Sequence, residues 1–160
     1  MMFTGNEQPE INRKVARTVK EMYSRLDREM KHIEKACRIG CSHCCYQTTY
    51  VSNIEEEAMI RYVSEEMDET VRNTVRTKLQ EWHSWFDSVS RKSTSANPLT
   101  IAEFRDLDVL AAKQHISCPY LIDSKCSIYQ VRPVMCRTHI VKSDPEQCGA
   151  DPLRNTEADR

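Results

Sequence analysis

The sequence predicts a small, mainly α-helical domain, and three observations support this fold class. Apolar residues recur at alternating steps of three and four along the first part of the chain. Glycine occurs only 3 times in 160 residues, which favours helices over a turn-rich β sandwich. Two helix-capping boxes lie further along the chain. A chain of this length can hold one core, so we expect a single domain over residues 1–160.

The first predicted element is a long helix over residues 9–36. Pro9 suits an early helical position, because the N–H that proline lacks has no helical partner there. The apolar positions of this segment align on one face, which we interpret as core rather than as a groove for a cofactor or a partner. These positions are Ile11, Val15, Val19, Met22, Leu26, Met30 and Ile33.

Capping boxes predict the starts of two later helices. Ser52 precedes Glu55 by three residues, and Thr100 precedes Glu103 by three, with the second helix ending near residue 115. Between these helices, a further one should bury an apolar stripe. The stripe consists of Val71, Val75, Leu79, Trp82, Phe86 and Val89.

The pattern changes after Cys118, where short apolar runs replace the helical periodicity. Asp123 and Ser124 separate two of these runs, which predicts a small hairpin in this cysteine-rich region. One helical turn should begin near Pro133. From about residue 150 the chain is expected to form a disordered tail.

Charge and hydropathy exclude two classes of partner. A net charge of −1 gives no sign of polyanion binding, so we expect no nucleic-acid partner. No stretch approaches the roughly 20 apolar residues that a membrane span needs, and the N-terminus lacks the apolar core of a signal peptide. We therefore expect no membrane partner and a cytoplasmic location, where clustered thiols are more often ligands or catalysts than disulfides.

Eight cysteines form two groups, in residues 37–45 and 118–148. Thiolate is a soft ligand that suits zinc, cuprous copper and iron–sulfur clusters, and a tetrahedral site takes four sulfurs. Eight sulfurs are enough for two such sites, or for one site with spare thiols. A metal bound by both groups would clamp the hairpin region to the helices. The candidate ligands are Cys37, Cys41, Cys44, Cys45, Cys118, Cys126, Cys136 and Cys148.

Disulfides and buried thiols are the alternatives to a metal site. The adjacent pair Cys44 and Cys45 and the expected compartment both argue against a disulfide scaffold. Arg132 and Arg137 flank Cys136, and their charges could offset those of bound thiolates, or they could form ordinary surface ion pairs. His43 and His139 lie beside cysteines, and we expect them to surround the site or to be exposed rather than to replace a thiolate.

The segments "CRIGCSHCC" and "CPYLIDSKCSIYQVRPVMCR" resemble the YkgJ-type cysteine-cluster proteins, domains associated with zinc or iron chelation. The resemblance covers about residues 37–148 and implies metal chelation. The positions that carry it are Cys41, Cys44 and Cys45; Cys118, Pro119, Tyr120 and Leu121; Cys126, Ile128 and Tyr129; and Arg132, Pro133, Cys136 and Arg137.

We therefore predict a metal-binding protein whose cysteines bind zinc or iron. The iron could be part of an iron–sulfur cluster, and the expected role is structural, sensing or chelating. Whether the protein is an enzyme also stays open. The alternative is an iron–sulfur or zinc-dependent enzyme, since flagellin lysine N-methylases have a similar cysteine pattern. No catalytic constellation stands out in the sequence. A third reading is a helical interaction protein that uses the apolar stripe of residues 11–33.

Overall fold

The computed structural model describes residues 8–35, 40–90 and 97–142, together with Glu146 and Cys148. This part of the chain is mainly helical with one two-stranded sheet, so the predicted fold class is confirmed. None of its helices combines the length and the apolar content needed to cross a membrane. The elements are α1 (Gln8–Met30), α2 (Asn53–Arg61), α3 (Glu69–Val89), α4 (Ile101–Lys113), β1 (Leu121–Ile122), β2 (Lys125–Cys126) and α5 (Val134–Thr138).

The contacts divide the described chain into two compact units. Unit 1 contains α1, α2 with the residues around it, and residues 128–139, which include α5. Unit 2 contains residues 40–49, α3, α4, the hairpin and the described residues from 140 onward. The single domain expected from the sequence stays a prediction.

The core of unit 1 forms along one face of α1. Ala16, Val19, Tyr23 and Met30 are buried there at helical spacing. Val19 and Met30 belong to the predicted stripe, but Met22 and Ile33 are exposed. The buried face is therefore rotated from the predicted one, because Tyr23 occupies it with its hydroxyl hydrogen-bonded to Glu55 of α2.

Helix α1 ends at Met30, before the predicted end at residue 36. Beyond it, the amides of residues 31–33 donate to carbonyls three residues earlier at 3.2–3.4 Å, a tighter and weaker pattern than the α-helical one. Residues 30–36 contain no glycine or proline, so no breaker residue marks this end in the sequence. The last predicted helical residue, 36, lies outside the described residues.

Both predicted capping boxes are confirmed. The Ser52 hydroxyl accepts from the Glu55 N–H at 3.4 Å, and the Glu55 carboxylate accepts from the Ser52 N–H at 3.1 Å. At the start of α4, the Thr100 hydroxyl accepts from the Glu103 N–H at 3.2 Å, and the Thr100 N–H donates to the Glu103 carboxylate at 2.7 Å. Each box satisfies N–H groups that have no partner within the helix.

In unit 2, the predicted stripe of α3 lies on one face but is only partly buried. Val75 is fully buried, while Trp82 and Phe86 are half-buried and stack with ring centroids 5.3 Å apart. Trp85 donates its indole N–H to the Gln114 side chain at 2.7 Å, which ties α3 to the end of α4. Most of this face thus keeps partial contact with solvent.

The predicted hairpin is also confirmed. Strands β1 and β2 pair antiparallel, with Leu121 opposite Cys126. Asp123 and Ser124 both have positive φ values, 49° and 59°, as a two-residue type I′ turn requires. The disordered tail predicted from about residue 150 lies outside the described residues.

The capping box of α4 gives a first prediction. Thr100→Ala removes the hydroxyl that caps the helix and should lower the free energy of unfolding by about 1 kcal/mol. Thr74→Ala is the control, because that exposed hydroxyl bonds only to the Thr70 carbonyl, within helix α3. Urea denaturation followed by circular dichroism measures both variants. Equal losses in the two variants would contradict the capping role of Thr100.

Candidate metal centre

The first cysteine segment of unit 2 forms a tight turn. Gly40 precedes it with a φ of 91°, a left-handed conformation that glycine adopts without strain. Residues 43–46 then form a single 3₁₀ turn, and the Cys45 N–H donates to the Ser42 carbonyl at 2.9 Å. This turn holds Cys44 and Cys45 side by side, both of them half-buried.

The second segment docks directly on this turn. The Cys118 N–H donates to the Cys45 carbonyl, with 2.6 Å between nitrogen and oxygen. A following turn, in which the Leu121 N–H donates to the Cys118 carbonyl at 3.0 Å, starts the hairpin. The hairpin register then returns Cys126 opposite Leu121. Segments more than seventy residues apart therefore meet within unit 2.

Cys44, Cys118 and Cys126 each affect the pKa of the Cys45 thiol at this junction, and we call these four residues the thiol cluster. A hydrogen bond with Cys44 and burial raise the pKa of the Cys45 thiol far above its ordinary value. Negative charge on Cys44, Cys118 or Cys126 raises it further. Thiolates that act on one another electrostatically cannot all ionise readily without a positive charge nearby.

The donor set of the thiol cluster fits zinc or iron. Both accept four thiolates in a tetrahedral arrangement, and the positive charge of the ion offsets the repulsion that keeps Cys45 protonated. Cysteine ligands must lose their protons, so binding would release protons from these thiols. In the described ranges, no three Cys, His, Asp or Glu side chains already stand in a metal-binding arrangement.

The other four predicted ligands lie elsewhere or outside the description. Cys41 and Cys148 are half-buried in unit 2, while Cys136 lies on α5 in unit 1. Cys37 lies outside the described residues. The seven cysteines that the structure describes are thiols and partly buried. Four of the eight candidates thus lie in the two segments that the Cys118 to Cys45 hydrogen bond joins, and the assignment of all eight as ligands stays a prediction.

Arg137 is buried and makes several contacts that the sequence did not predict. Its side chain is only 2% exposed and donates to the Gln130 and Arg132 carbonyls at 2.5 and 2.8 Å and to Asp27 at 2.6 Å. Its guanidinium also lies 4.1 Å from the ring centre of Tyr23. Through these contacts Arg137 fixes the chain before α5 to α1. Its ion pair with Asp27 is largely buried on the arginine side, and its role in offsetting thiolate charge stays a prediction.

Glu55 and Tyr23 are buried polar residues whose pairing was not predicted. Burial acts to raise the pKa of Glu55, but hydrogen bonds from Val134, Ser52 and Tyr23 together lower it below its ordinary value. Burial and the neighbouring Glu55 carboxylate raise the pKa of Tyr23. Glu55 is therefore a buried carboxylate, and the sequence showed only its capping box.

The helical scaffold and its thiol cluster define the class of this protein, a cysteine-cluster domain with the donor set of a metal chelator. A family model for CxxCxxCC proteins, described as "Putative zinc- or iron-chelating domain", matches residues 36–153. The chain belongs to this family, which confirms the resemblance seen in the sequence. No curated protein and no solved structure matches the chain.

The burial of Arg137 gives a second prediction. Arg137→Met should lower the free energy of unfolding by about 3 kcal/mol, because it leaves buried carbonyls without donors. Asp27→Asn should cost less, about 1 kcal/mol, since the Asp27 side chain is 47% exposed and water can replace the contact. Urea denaturation provides the measurement.

Arg17→Met is the matched control for Arg137→Met. Arg17 pairs with Glu21 at 3.1 Å on the surface of α1, where its side chain is 84% exposed. Its loss should change stability by less than about 0.5 kcal/mol. An equal effect of the two arginine substitutions would disprove the structural role of Arg137.

The pKa of Glu55 gives a third prediction, on the pH dependence of stability. A lowered folded-state pKa stabilises the protein above the unfolded value, about 4.3, and this stability is lost as the pH falls through the folded value. Glu55→Gln should therefore destabilise the fold at pH 7 by about 2 kcal/mol. The difference from the wild type should shrink at pH values below about 4.

Unfolding free energies measured between pH 3 and 7 test this dependence. Glu56→Gln, at the exposed neighbouring position of α2, is the control and should change the free energy of unfolding at pH 7 by less than about 0.5 kcal/mol. A difference between Glu55→Gln and wild type that stays constant across this range would contradict the prediction.

Proposed function

We propose that the protein chelates zinc or iron through the thiol cluster, and that the bound ion stabilises the cysteine-rich part of unit 2. The observation that carries the proposal is the backbone hydrogen bond from Cys118 to Cys45, which joins the two cysteine segments. Family membership supports the same chemistry. Protein ligands alone would fill a tetrahedral shell, an arrangement typical of structural sites.

The hairpin explains why such an ion would matter for folding. Its strands have two residues each, and an isolated two-stranded hairpin is marginally stable at best. Leu121 is buried, but the other strand residues are only partly buried or exposed. A shared ion would therefore supply the cohesion that side-chain packing does not.

The protein would hold the cysteine segments at a fixed spacing, and its thiols would release protons when the ion binds. The bound ion supplies positive charge that stabilises the sulfurs as thiolates. The Cys45 carbonyl and the Cys118 N–H fix the spacing of the two segments, and the type I′ turn sets the position of Cys126. The thiols release their protons as the ion binds, so affinity should fall at low pH.

The remaining cysteines allow for a second ion. Cys37, Cys41, Cys136 and Cys148 are also predicted ligands, and eight sulfurs suffice for two four-coordinate centres. Zinc would make each centre structural, whereas an iron–sulfur cluster would add electron transfer or redox sensing. We favour the structural or chelating role in a cytoplasmic setting, where reducing conditions keep thiols available.

Metal analysis gives the fourth prediction. Protein purified without oxygen should contain zinc or iron, measured by elemental analysis, and its visible spectrum separates colourless zinc protein from a brown iron–sulfur protein. Cys44→Ser and Cys126→Ser should each lose most of this metal, because a neutral hydroxyl is a poor ligand for these ions. Chelation should also lower the melting temperature, since an ion at 100 times its Kd contributes about 2.7 kcal/mol to stability.

Met135→Leu is the control for these substitutions. It removes an exposed thioether sulfur next to Cys136 and leaves every thiol in place, so metal content should not change. The proposal fails if the wild type carries no metal, or if both cysteine variants keep full metal content and normal melting.

A further inference from the structure

Asp108 on helix α4 binds the chain that directly follows the first cysteine segment. The 3₁₀ turn with Cys44 and Cys45 ends where the Gln47 N–H donates to the Cys44 carbonyl at 3.2 Å. One oxygen of Asp108 then accepts from both the N–H and the hydroxyl of Thr48, at 2.7 and 3.0 Å. Hydrogen bonds to a carboxylate are stronger than those between neutral groups. Two residues 60 positions apart are therefore tied together, three residues after Cys45.

The same helix also fixes the start of the second cysteine segment. At its C-terminus the Ile116 N–H donates to the Ala111 carbonyl at 2.9 Å. The His115 N–H donates to the Ala112 carbonyl at 3.2 Å, which completes a Schellman motif. His115 adopts the left-handed conformation that this motif requires, with a φ of 51°. The motif sets the direction in which the chain leaves α4, two residues before Cys118.

Helix α4 is itself anchored within unit 2. Leu107, Ala111 and Ala112 are buried, and the capping box of Thr100 closes its N-terminus. A helix has a fixed rise per residue, so the two points at which α4 holds the cysteine segments keep a constant separation. Helix α4 therefore acts as a rigid spacer between these segments.

Three hydrogen-bonded links close a ring that contains both cysteine segments, and every member of the ring belongs to unit 2. The links are Thr48 to Asp108, Ile116 to Ala111, and Cys118 to Cys45. If the first link is lost, ordering the first segment costs conformational entropy that the Cys118 to Cys45 bond must offset alone. The loss of one link should therefore loosen another that it does not touch.

We propose that Asp108 is a positioning residue for the thiol cluster: its carboxylate holds the segment of Cys44 and Cys45 against α4, in place for docking with Cys118 before an ion binds. The inference deepens the proposed function and rests on it where metal affinity is concerned. A site whose competent form is only partly populated binds with a proportionally higher apparent Kd. Docking in advance should therefore raise the affinity for the ion.

Four variants separate positioning from general stability. Asp108→Ala removes the acceptor. Asp108→Asn keeps one carbonyl oxygen that can accept weaker, neutral hydrogen bonds, so it should retain part of the effect, and it serves if Asp108→Ala does not fold. Thr100→Ala is the matched control, because it removes a side-chain cap from the same helix and leaves the contact to Thr48 in place. Asp106→Ala removes an exposed carboxylate of α4.

Hydrogen exchange in the full-length, metal-free protein measures the docking. The Thr48 amide should exchange about tenfold faster in Asp108→Ala, because a hydrogen bond to a charged group contributes about this much to local stability. The Cys118 amide should also accelerate, although its own hydrogen bond goes to Cys45. Both rates are divided by that of the Val75 amide, in the buried part of α3. Global unfolding would accelerate all three amides and leave these ratios unchanged.

Zinc affinity then links docking to the metal. Competition with a chromophoric chelator should give an apparent Kd up to about tenfold higher in Asp108→Ala, an intermediate value in Asp108→Asn, and the wild-type value in both controls. The inference is overturned if the Cys118 to Val75 ratio stays at the wild-type value in both Asp108 variants. It is also overturned if Thr100→Ala raises this ratio equally, or if Asp108→Ala binds zinc as tightly as the wild type.

Wild-type protein that binds neither zinc nor iron would instead overturn the proposed function. The exchange ratio would still decide whether Asp108 docks the two cysteine segments, because it is measured without metal. The two failures are therefore distinguishable.

Discussion

The backbone hydrogen bond between Cys118 and Cys45 is the contact on which the candidate metal centre depends. It is short, at 2.6 Å, and it joins two segments that are more than seventy residues apart. A backbone contact fixes the separation of the segments regardless of the state of the thiols. The 3₁₀ turn carries Cys44 and Cys45 on one side of this contact, and the hairpin that follows Cys118 carries Cys126 on the other.

Without a cation, the surroundings of the thiol cluster favour neutral thiols. A hydrogen bond with Cys44, burial and the charges of neighbouring thiolates all raise the pKa of Cys45, so this thiol stays protonated. Four protonated thiols contribute little cohesion, since S–H is a weak donor. A metal ion would replace these protons with direct bonds to sulfur. The free energy of metal binding would then add to the free energy of folding.

Local patterns in the sequence predicted the elements that depend on neighbouring residues. Both capping boxes and the hairpin at Asp123 and Ser124 are confirmed, because each is determined within four consecutive residues. The end of α1 at Met30 was not predicted, since no breaker residue marks it. The buried partners of Glu55 and Arg137 were not predicted either, because those contacts join segments from 32 to 110 residues apart.

The candidate metal centre was also predicted only in part: the sequence indicated its chemistry but not its geometry. The clustering of eight cysteines predicted soft-metal chemistry from composition and spacing alone, and the family comparison agrees. Which sulfurs come together depends on the docking of two segments, and the sequence could not rank the eight candidates. Cys136 shows why. In the sequence it is one more cysteine of the second group, but in the structure its helix α5 belongs to unit 1 and is held there by Glu55 and Arg137. A thiol anchored by buried ionic contacts loses little conformational entropy on binding, so anchoring favours a metal ion only where the fixed orientation is correct.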